Sequence, residues 1–280
     1  MSASRSGRSG PALIVVDLRH DLDRLLAEAG NASLSPTTRR TLEREIRGVV
    51  TELEQLLNIL DPIQQPSSMF DPGNPKVVGR FIALALVAQD RHPLSEVARF
   101  YGSGVYAIYY TGGLPLYEPI SRTETPIYVG QAAPAINNAR TPMEQGDRLW
   151  SRLNQHQRNI GLAISTLGLN DFECRSLVVQ SGWETAAEDY LIHLFRPIWN
   201  SETDILFGLG KHGDSATTRA NKRSPWDTIH PGRRWAEATL EDSRTPERIA
   251  RDLNAHFESH PVFEDMNELL SSFIDELRQI

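Results

Sequence analysis

The sequence predicts a mixed α/β (α+β) fold in which helices at both ends of the chain flank a short block of strands. Apolar residues recur at three- and four-residue spacing over 36–60, and further helical stretches lie within 244–280. Between them, residues 105–110 read Val-Tyr-Ala-Ile-Tyr-Tyr, a composition typical of a strand. Of the 280 residues, 40% are hydrophobic and 23% charged, which indicates a globular protein and excludes a fibrous or wholly disordered one.

The N-terminal third is predicted to be a helical extension. Residues 1–11 are mostly Ser, Gly and Arg, and we expect them to be disordered, so that the extension covers 12–100. Within it, the pattern predicts one helix over 36–60, with a proline in its first turn, and a second over 76–89.

Residues 101–202 are predicted to form the core domain. Aromatic and β-branched runs predict its strands, and apolar residues that share one helical face predict its helices. In chain order the predicted elements are strands at 105–110, 126–130 and 172–179 and helices at 144–160 and 183–195.

Charge is distributed unevenly over the C-terminal part. The segment 203–243 is rich in Gly, Ser, Thr and Asn, which predicts an extended arm. Its basic residues are Lys211, Arg219, Lys222, Arg223, Arg233 and Arg234. Residues 236–280 carry 11 acidic and four basic side chains, which accounts for the whole net charge of −7, and 244–280 is predicted to be an acidic helical tail. A basic strip before an acidic tail suits an anionic partner, although an ordinary solvated surface has the same composition.

Composition also bears on the compartment. No stretch approaches 18 consecutive apolar residues, so no membrane-spanning helix is expected. The apolar run at 12–16 is too short for the core of a signal peptide. Cys174 is the only cysteine, which excludes an internal disulfide framework. We therefore expect a cytoplasmic protein without membrane association.

Polar residues recur at positions from which they could converge. The strands carry Gly104-Val105-Tyr106 and Tyr128-Val129-Gly130. Arg152 and His156 are four residues apart, hence on one helical face, while Glu188 lies in the next helix and precedes Asn200 by twelve residues. Taken singly, each has an ordinary alternative: packed tyrosines, a surface ion pair, a solvated glutamate or a helix cap.

Taken together, the two triplets and the order Tyr, Tyr, Arg, His, Glu, Asn resemble the signature of the GIY-YIG nuclease superfamily. Val105 and Val129 replace isoleucine in the triplets, and the segment 191–200 resembles the closing segment of that domain. The resemblance implies a small, mainly antiparallel sheet of about three strands flanked by helices. It also implies phosphodiester hydrolysis, with Tyr106, Tyr128, Arg152, His156, Glu188 and Asn200 as the catalytic set.

The residue types suit that chemistry. Glu188 offers a hard oxygen ligand for Mg²⁺, with Mn²⁺ as an alternative, and Arg152 offers a planar fork of donors to a phosphate. Tyr106 is the candidate general base, but an ordinary tyrosine is a poor base near neutrality, so His156 stays an alternative. Asn200 would anchor the site. Glu184 lies one turn before Glu188 on the same flank, and only the twelve-residue interval to Asn200 favours Glu188 as the ligand.

A second resemblance, carried by Lys222 to Arg233, is to the arm of type II restriction endonucleases on this scaffold that cut CCGCGG. It implies double-stranded DNA as the substrate, a homodimer on a palindromic target, and a cognate DNA methyltransferase as the functional partner in the host. The six basic residues of the arm are then candidates for DNA binding, because arginine and lysine read guanine in the major groove. The alternatives are a GIY-YIG homing or repair nuclease and a non-catalytic DNA-binding protein on the same fold.

Overall fold

The computed structural model describes residues 10–31, 36–60, 63, 69–209, 222–239 and 241–278. They divide into two units, one within residues 1–69 and the other within 70–280. The predicted disorder of residues 1–11 falls almost entirely outside the described residues. None of the helices in the described ranges has the length and the continuous apolar surface that crossing a bilayer requires.

The first unit contains two long helices, α1 (Pro11–Asn31) and α2 (Pro36–Leu60). The second unit contains the sheet and the remaining helices. Its longer helices are α3 (Pro75–Val87), α5 (Arg148–Leu162), α6 (Glu184–Phe195), α9 (Pro246–Ser259) and α10 (Met266–Leu277), and its shorter ones are α4 (Pro142–Gln145), α7 (Pro225–Ile229) and α8 (Arg234–Glu237).

An antiparallel sheet organises the second unit. Its strands, in chain order, are β1 (His92–Pro93), β2 (Gly104–Tyr110), β3 (Tyr128–Ala132) and β4 (Phe172–Val178). They lie in the order β1-β4-β2-β3, so that β3 is an edge strand, with Tyr106 opposite Gly130 in the register of β2 and β3. The predicted strands and their antiparallel pairing are confirmed, whereas the two-residue edge strand β1 is not apparent in the sequence. A separate parallel pair joins β5 (Lys222–Arg223) to β6 (Glu241–Asp242).

Both faces of the sheet are covered, which explains why all seven residues of β2 are buried. Tyr106, Ile108 and Tyr110 point into a cluster with Leu149 and Leu153 of α5. The intervening residues of β2 point into a second cluster formed with α3, α6 and α10. A strand buried on both faces has no polar alternation, and the near-continuous apolar run of β2 follows from that position.

The predicted extended arm is largely wrong where the structure describes it. Trp226 is fully buried, and its indole packs edge-on against Trp199, with ring centroids 5.9 Å apart. His230 is also buried: its Nδ1 lies 2.8 Å from the hydroxyl oxygen of Thr166, and its Nε2 bonds to the hydroxyl group of Tyr117. Residues 222–239 are therefore part of the folded core, and a Gly- and Ser-rich composition concealed this. Residues 210–221 lie outside the described residues.

Candidate active site

Tyr106 and His156 meet on the face of the sheet that α5 covers. The Tyr106 hydroxyl oxygen and His156 Nε2 lie 2.7 Å apart in a hydrogen bond, and both side chains are buried. The ring of Tyr128 completes the group, with centroids 4.9 Å from His156 and 6.1 Å from Tyr106. The two strands and α5 therefore bring together three of the predicted residues.

Close packing explains why the second triplet, Tyr128-Val129-Gly130, ends in a glycine. A Cβ atom at this position would lie 2.6 Å from the hydroxyl oxygen of Tyr106 and 3.0 Å from the ring of Tyr128. Any side chain would displace one of the two tyrosines. The glycine of the Tyr-Val-Gly triplet is thus required by the close approach of Tyr106 to the neighbouring strand.

Glu188 and Asn200 bind the free edge of β3. The amide group of Asn200 forms two hydrogen bonds with the backbone of Val129, accepting from its N–H at 3.0 Å and donating to its carbonyl at 2.9 Å. The Gln131 N–H donates to Glu188 Oε1 at 3.1 Å. Backbone groups of an edge strand need partners, and these side chains supply them while fixing their own positions beside Tyr128.

Arg152 lies on the exposed face of α5. Its Nη1 donates to Gln155 Oε1 at 3.3 Å, and it forms no ion pair with any described residue. Burial raises the pKa of both Tyr106 and Tyr128, and the positive charge of Arg152 opposes that increase. Arg148, one turn earlier, is also exposed and donates from Nε to the carbonyl oxygen of Ala133 at 3.1 Å.

Burial decides the protonation state of the two tyrosines. It raises the pKa of Tyr106 well above its usual value, and the nearby Tyr128 and Glu188 raise it further, against the opposing charge of Arg152. Burial likewise raises the pKa of Tyr128 to about 12, and Glu188 adds to the increase. Both phenols are therefore neutral near neutral pH, and Tyr106 is not a preformed tyrosinate base.

Glu188 could hold a divalent cation. Its side chain is half-buried, and burial raises its pKa, an effect that hydrogen bonding to Gln131 opposes and the charges of Glu202 and Asp189 reinforce. Its second oxygen, Oε2, accepts no hydrogen bond from the described residues. No group of three or more His, Cys, Asp or Glu side chains converges within the described ranges, and a single carboxylate suits Mg²⁺, which keeps several waters.

Glu184 has a structural position instead. It is buried, accepts from the Ser103 hydroxyl at 3.0 Å, and accepts from the Gly182 N–H at 2.7 Å. It therefore ties the start of α6 to the residue that precedes β2. The surroundings of Glu184 and Glu188 therefore distinguish a structural residue from a candidate metal ligand, which helical periodicity alone could not do.

The structure separates the six basic residues of the predicted DNA-binding arm. Arg233 is buried, with its Nε 2.6 Å from Asp227 Oδ1 and its Nη atoms donating to the carbonyls of Gly208 and Leu209. This burial corrects the expectation that Arg233 contacts DNA, because its donors are already used inside the protein. Arg223 pairs with Asp242 at 2.7 Å, and Lys222 pairs with Glu241 at 3.2 Å.

Of the remaining three, Arg234 is exposed, whereas Lys211 and Arg219 lie outside the described residues. The local sequence explains the burial of Arg233, since Ser224 and Asp227 form a hydrogen-bonded pair that holds the carboxylate in place. An alternating basic and acidic pattern in a short segment can indicate internal ion pairs as well as a basic surface.

Comparison with known families decides the identity of the domain. The sequence matches the Eco29kI GIY-YIG domain over residues 98–257, more than half of the chain. The chain belongs to this restriction endonuclease family. A comparison with individual curated proteins gives no match.

Membership in the Eco29kI family has direct consequences. The domain is a nuclease domain whose partner is DNA, and GIY-YIG nucleases generally use divalent metal ions. Eco29kI itself recognises CCGCGG. The match begins before β2 and ends within α9, so it includes the folded segment 222–239 together with all six candidate site residues.

Two residues near the cluster were not predicted from the sequence. Gln131 fixes Glu188 through its backbone N–H, and its side chain donates to the Thr185 hydroxyl at 3.2 Å. Its position directly after Gly130 was an available signal. Arg148 could have been found from its spacing, since it lies four residues before Arg152 on the same helix.

Proposed function

We propose that this Eco29kI-family protein is a type II restriction endonuclease that hydrolyses both strands of a G·C-rich palindrome, such as CCGCGG, with one Mg²⁺ per active site. The observation that carries the proposal is the hydrogen bond between Tyr106 and His156, with Tyr128, Arg152 and Glu188 around it. This arrangement combines a proton-transfer pair, a hydrogen-bond donor to phosphate and a candidate metal ligand beside strands β2 and β3.

Proton transfer in the proposed reaction begins with a neutral Tyr106. As a water molecule attacks the scissile phosphate, its proton passes to the Tyr106 hydroxyl oxygen, and the phenolic proton passes to His156 Nε2. The phosphorus–oxygen bond to the leaving end of the strand breaks, and its oxygen takes a proton from solvent. No tyrosinate is needed, which agrees with the raised pKa of Tyr106. The relay requires His156 Nε2 to be unprotonated, and it combines the two residues proposed from the sequence as alternative bases.

Arg152, together with a cation held by Glu188, would stabilise the negative charge on the phosphate oxygens. Arg152 is exposed and free of acidic partners among the described residues, so it can donate to the non-bridging oxygens of the scissile phosphate. Glu188 would hold the divalent cation, which when bound supplies positive charge for the phosphate oxygens. Asn200 keeps β3, and with it Tyr128, in place through its two bonds to Val129.

DNA would approach across the exposed face of α5. Arg148 and Arg152 project from successive turns of that face, and neither forms an ion pair with a described residue. Arg234, together with Lys211 and Arg219, provides further candidates for contacts to DNA. A palindromic target requires two equivalent active sites, so the functional species would be a homodimer, protected in the host by a cognate methyltransferase.

Digestion of plasmid DNA tests the proposal. One plasmid carries CCGCGG, and a matched plasmid has the site altered by one base pair; each is incubated with the protein and Mg²⁺, Mn²⁺ or a chelator. We expect discrete linear products only from the first plasmid and only with metal. Nicked circles or a smear would indicate a homing or repair nuclease, and intact DNA in every metal would contradict nuclease activity altogether.

A further inference from the structure

The loop formed by residues 133–141 leaves the end of β3 and leads through α4 into α5. It therefore lies between the strand and the helix that carry most of the candidate site residues. Residues 136–138 and Arg140 are exposed, whereas Ala139 between them is buried. The buried residue anchors the loop, and its neighbours are presented to solvent.

Hydrogen bonds to other parts of the fold hold the backbone of the loop. The Ala135 N–H donates to the Gln145 carbonyl oxygen at 2.9 Å, at the end of α4. The Ala139 carbonyl oxygen accepts from the Ser181 hydroxyl at 3.1 Å, in the segment between β4 and α6. The exposed side chains are thus carried by a backbone that is already ordered, which reduces the entropy cost of binding a partner.

A tight turn forms the tip of the loop. The Ala139 N–H donates to the Ile136 carbonyl oxygen at 3.2 Å, and Asn138, the third residue of the turn, has a left-handed φ of 62°. Asparagine is one of the few residues that tolerate this conformation, so the turn accounts for Asn138. It places no such demand on Asn137, whose side chain forms no hydrogen bond with any described residue.

Arg140 has all of its side-chain donors available. Its backbone N–H donates to Glu144 Oε2 at 2.7 Å, but its guanidinium group forms neither a hydrogen bond nor an ion pair within the described part of the chain. Arg148 differs, because its Nε already donates to the Ala133 carbonyl oxygen. A planar fork of free donors on an ordered loop has the geometry that pairs with the two acceptors of guanine in the major groove.

The loop lies near enough to the candidate cleavage centre to reach bases of the same DNA site. Gly130, which is opposite Tyr106 in the sheet, precedes Ala133 by three residues, or about 10 Å at 3.3 Å per residue. This length corresponds to about three base pairs at 3.4 Å each. The bond from Arg148 to Ala133 also joins the loop to the exposed face of α5. DNA that lies across α5 would therefore meet the loop.

We propose that the loop 133–141 determines sequence specificity, with Arg140 contacting a guanine and Asn137 contacting a neighbouring base edge. The amide group of Asn137 both donates and accepts, which suits a base edge. Asn138 shapes the turn and makes no base contact. The inference rests on the proposed function, since it requires a sequence-specific DNA substrate, but it does not require catalysis, because binding is measured without metal.

Selection from a pool of randomised DNA duplexes by the full-length protein, in a chelator, identifies the preferred sequence. Gel-shift titration then compares this sequence with each of its single-base-pair variants. We expect Arg140→Ala to lose discrimination by about 10- to 100-fold at one G·C pair of each half-site, and Asn137→Ala to lose it at a neighbouring pair. Affinity for unrelated duplexes should change little.

Two control variants should select the wild-type sequence. Arg251→Ala removes the same charge as Arg140→Ala from an exposed position of α9. Asn138→Gly removes the side chain next to Asn137 and keeps the turn, because glycine adopts a left-handed φ without strain. A relaxed preference in either control would contradict the assignment of specificity to Arg140 and Asn137.

The remaining outcomes separate this inference from the proposed function. Equal weakening of Arg140→Ala on every sequence, with a smaller salt dependence, would identify a phosphate contact and overturn the proposal, as would an unchanged preferred sequence. A wild type that selects no sequence would reject both the loop and the restriction endonuclease. If Arg140→Ala relaxes the preference but the wild type cuts no DNA, the loop is supported and the nuclease is rejected.

Discussion

At the scale of single residues, the bond between Tyr106 and His156 is the contact on which the proposed chemistry depends. If Tyr106 relays a proton to His156, Tyr106→Phe should lower the single-turnover cleavage rate at saturating DNA by about 10²–10⁴, the range of a lost acid–base group. Affinity for DNA should change little, because the proposed partner of the Tyr106 hydroxyl is the attacking water and not the DNA itself. Gel-shift titration without metal measures affinity separately.

Tyr117→Phe is a suitable control for that substitution. Tyr117 is also a buried tyrosine bonded to a histidine, but its partner is His230, in the folded C-terminal segment. It should retain the cleavage rate and lose stability. If both variants cleave DNA at the wild-type rate, the Tyr106–His156 relay does not operate.

Glu188 gives the reaction a predictable dependence on pH. Burial and the charge of Glu202 raise its pKa, and protonated Glu188 cannot hold a cation, so the acidic limb of the rate profile should lie above the pKa of an ordinary glutamate. Glu202→Gln removes one of the charges that raise this pKa, so the acidic limb should move to lower pH.

Cleavage rates measured across a pH series at Mg²⁺ concentrations well below saturation give the position of the limb, because saturating metal would compete with the proton for Glu188. Glu237→Gln, an exposed glutamate of α8, is the control and should leave the limb in place. A limb that moves to higher pH in Glu202→Gln, or does not move, would show that Glu202 does not act on Glu188.

At the scale of elements, buried side chains that are either uncharged, as His230 is, or ion-paired, as Arg233 and Asp227 are, hold the segment 222–239 to the core. Burial, together with the charge of Arg233, lowers the pKa of His230 to about 3, against an unfolded value of about 6.5. Between about pH 3 and about pH 6.5, His230 is protonated in the unfolded chain but neutral in the folded protein. The contribution of His230 to stability is therefore complete above about pH 6.5 and falls as the pH drops toward 3.

His230→Gln should make the free energy of unfolding less dependent on pH. Urea denaturation at about pH 7.5 and about pH 5 should show a smaller loss of unfolding free energy in the variant than in the wild type, even though the variant is less stable at the higher pH. His193→Gln, at an exposed position of α6, should follow the wild type. An equal loss in all three proteins would contradict a buried, neutral His230.

The elements that sequence patterns predicted are those with strong local signals. β2 was predictable because a strand buried on both faces is apolar throughout. The helix predicted at 144–160 begins four residues before α5. The difference arises because Gly146 adopts a left-handed φ of 75°, which ends α4 and separates it from α5. β1 contains only His92 and Pro93, and two residues carry no periodic pattern.

Features that depend on distant partners were not predictable. The burial of Trp226 and Arg233 requires partners such as Trp199 and the Leu209 carbonyl, which are not neighbours in the sequence. The six candidate site residues were predicted from their order along the chain. The contacts among them, including the role of the β3 edge in positioning Glu188, needed the structure.

At the scale of the whole molecule, the second unit gathers the family domain and both C-terminal helices into one core. Phe273 of α10 packs against Tyr190 of α6, with ring centroids 5.6 Å apart, and Arg80 of α3 donates to the carbonyl of Glu276 at 3.2 Å. Helix α10 therefore joins α3 and α6 on the face of the sheet away from Tyr106, whereas Ile249 and Leu253 of α9 belong to the buried cluster that includes Tyr106.

The two glutamates of α6 give the most direct test of the central claim, that this cluster cleaves DNA with a metal ion held by Glu188. The measurement is cleavage of a plasmid that carries CCGCGG by Glu188→Gln and Glu184→Gln, with a gel-shift assay alongside. Glu188→Gln should abolish metal-dependent cleavage while DNA binding without metal survives or tightens, because one negative charge near phosphate is gone. Glu184→Gln should retain most activity and be less stable, since it disturbs the buried bonds to Ser103 and Gly182. An active Glu188→Gln beside a folded but inactive Glu184→Gln would contradict the account.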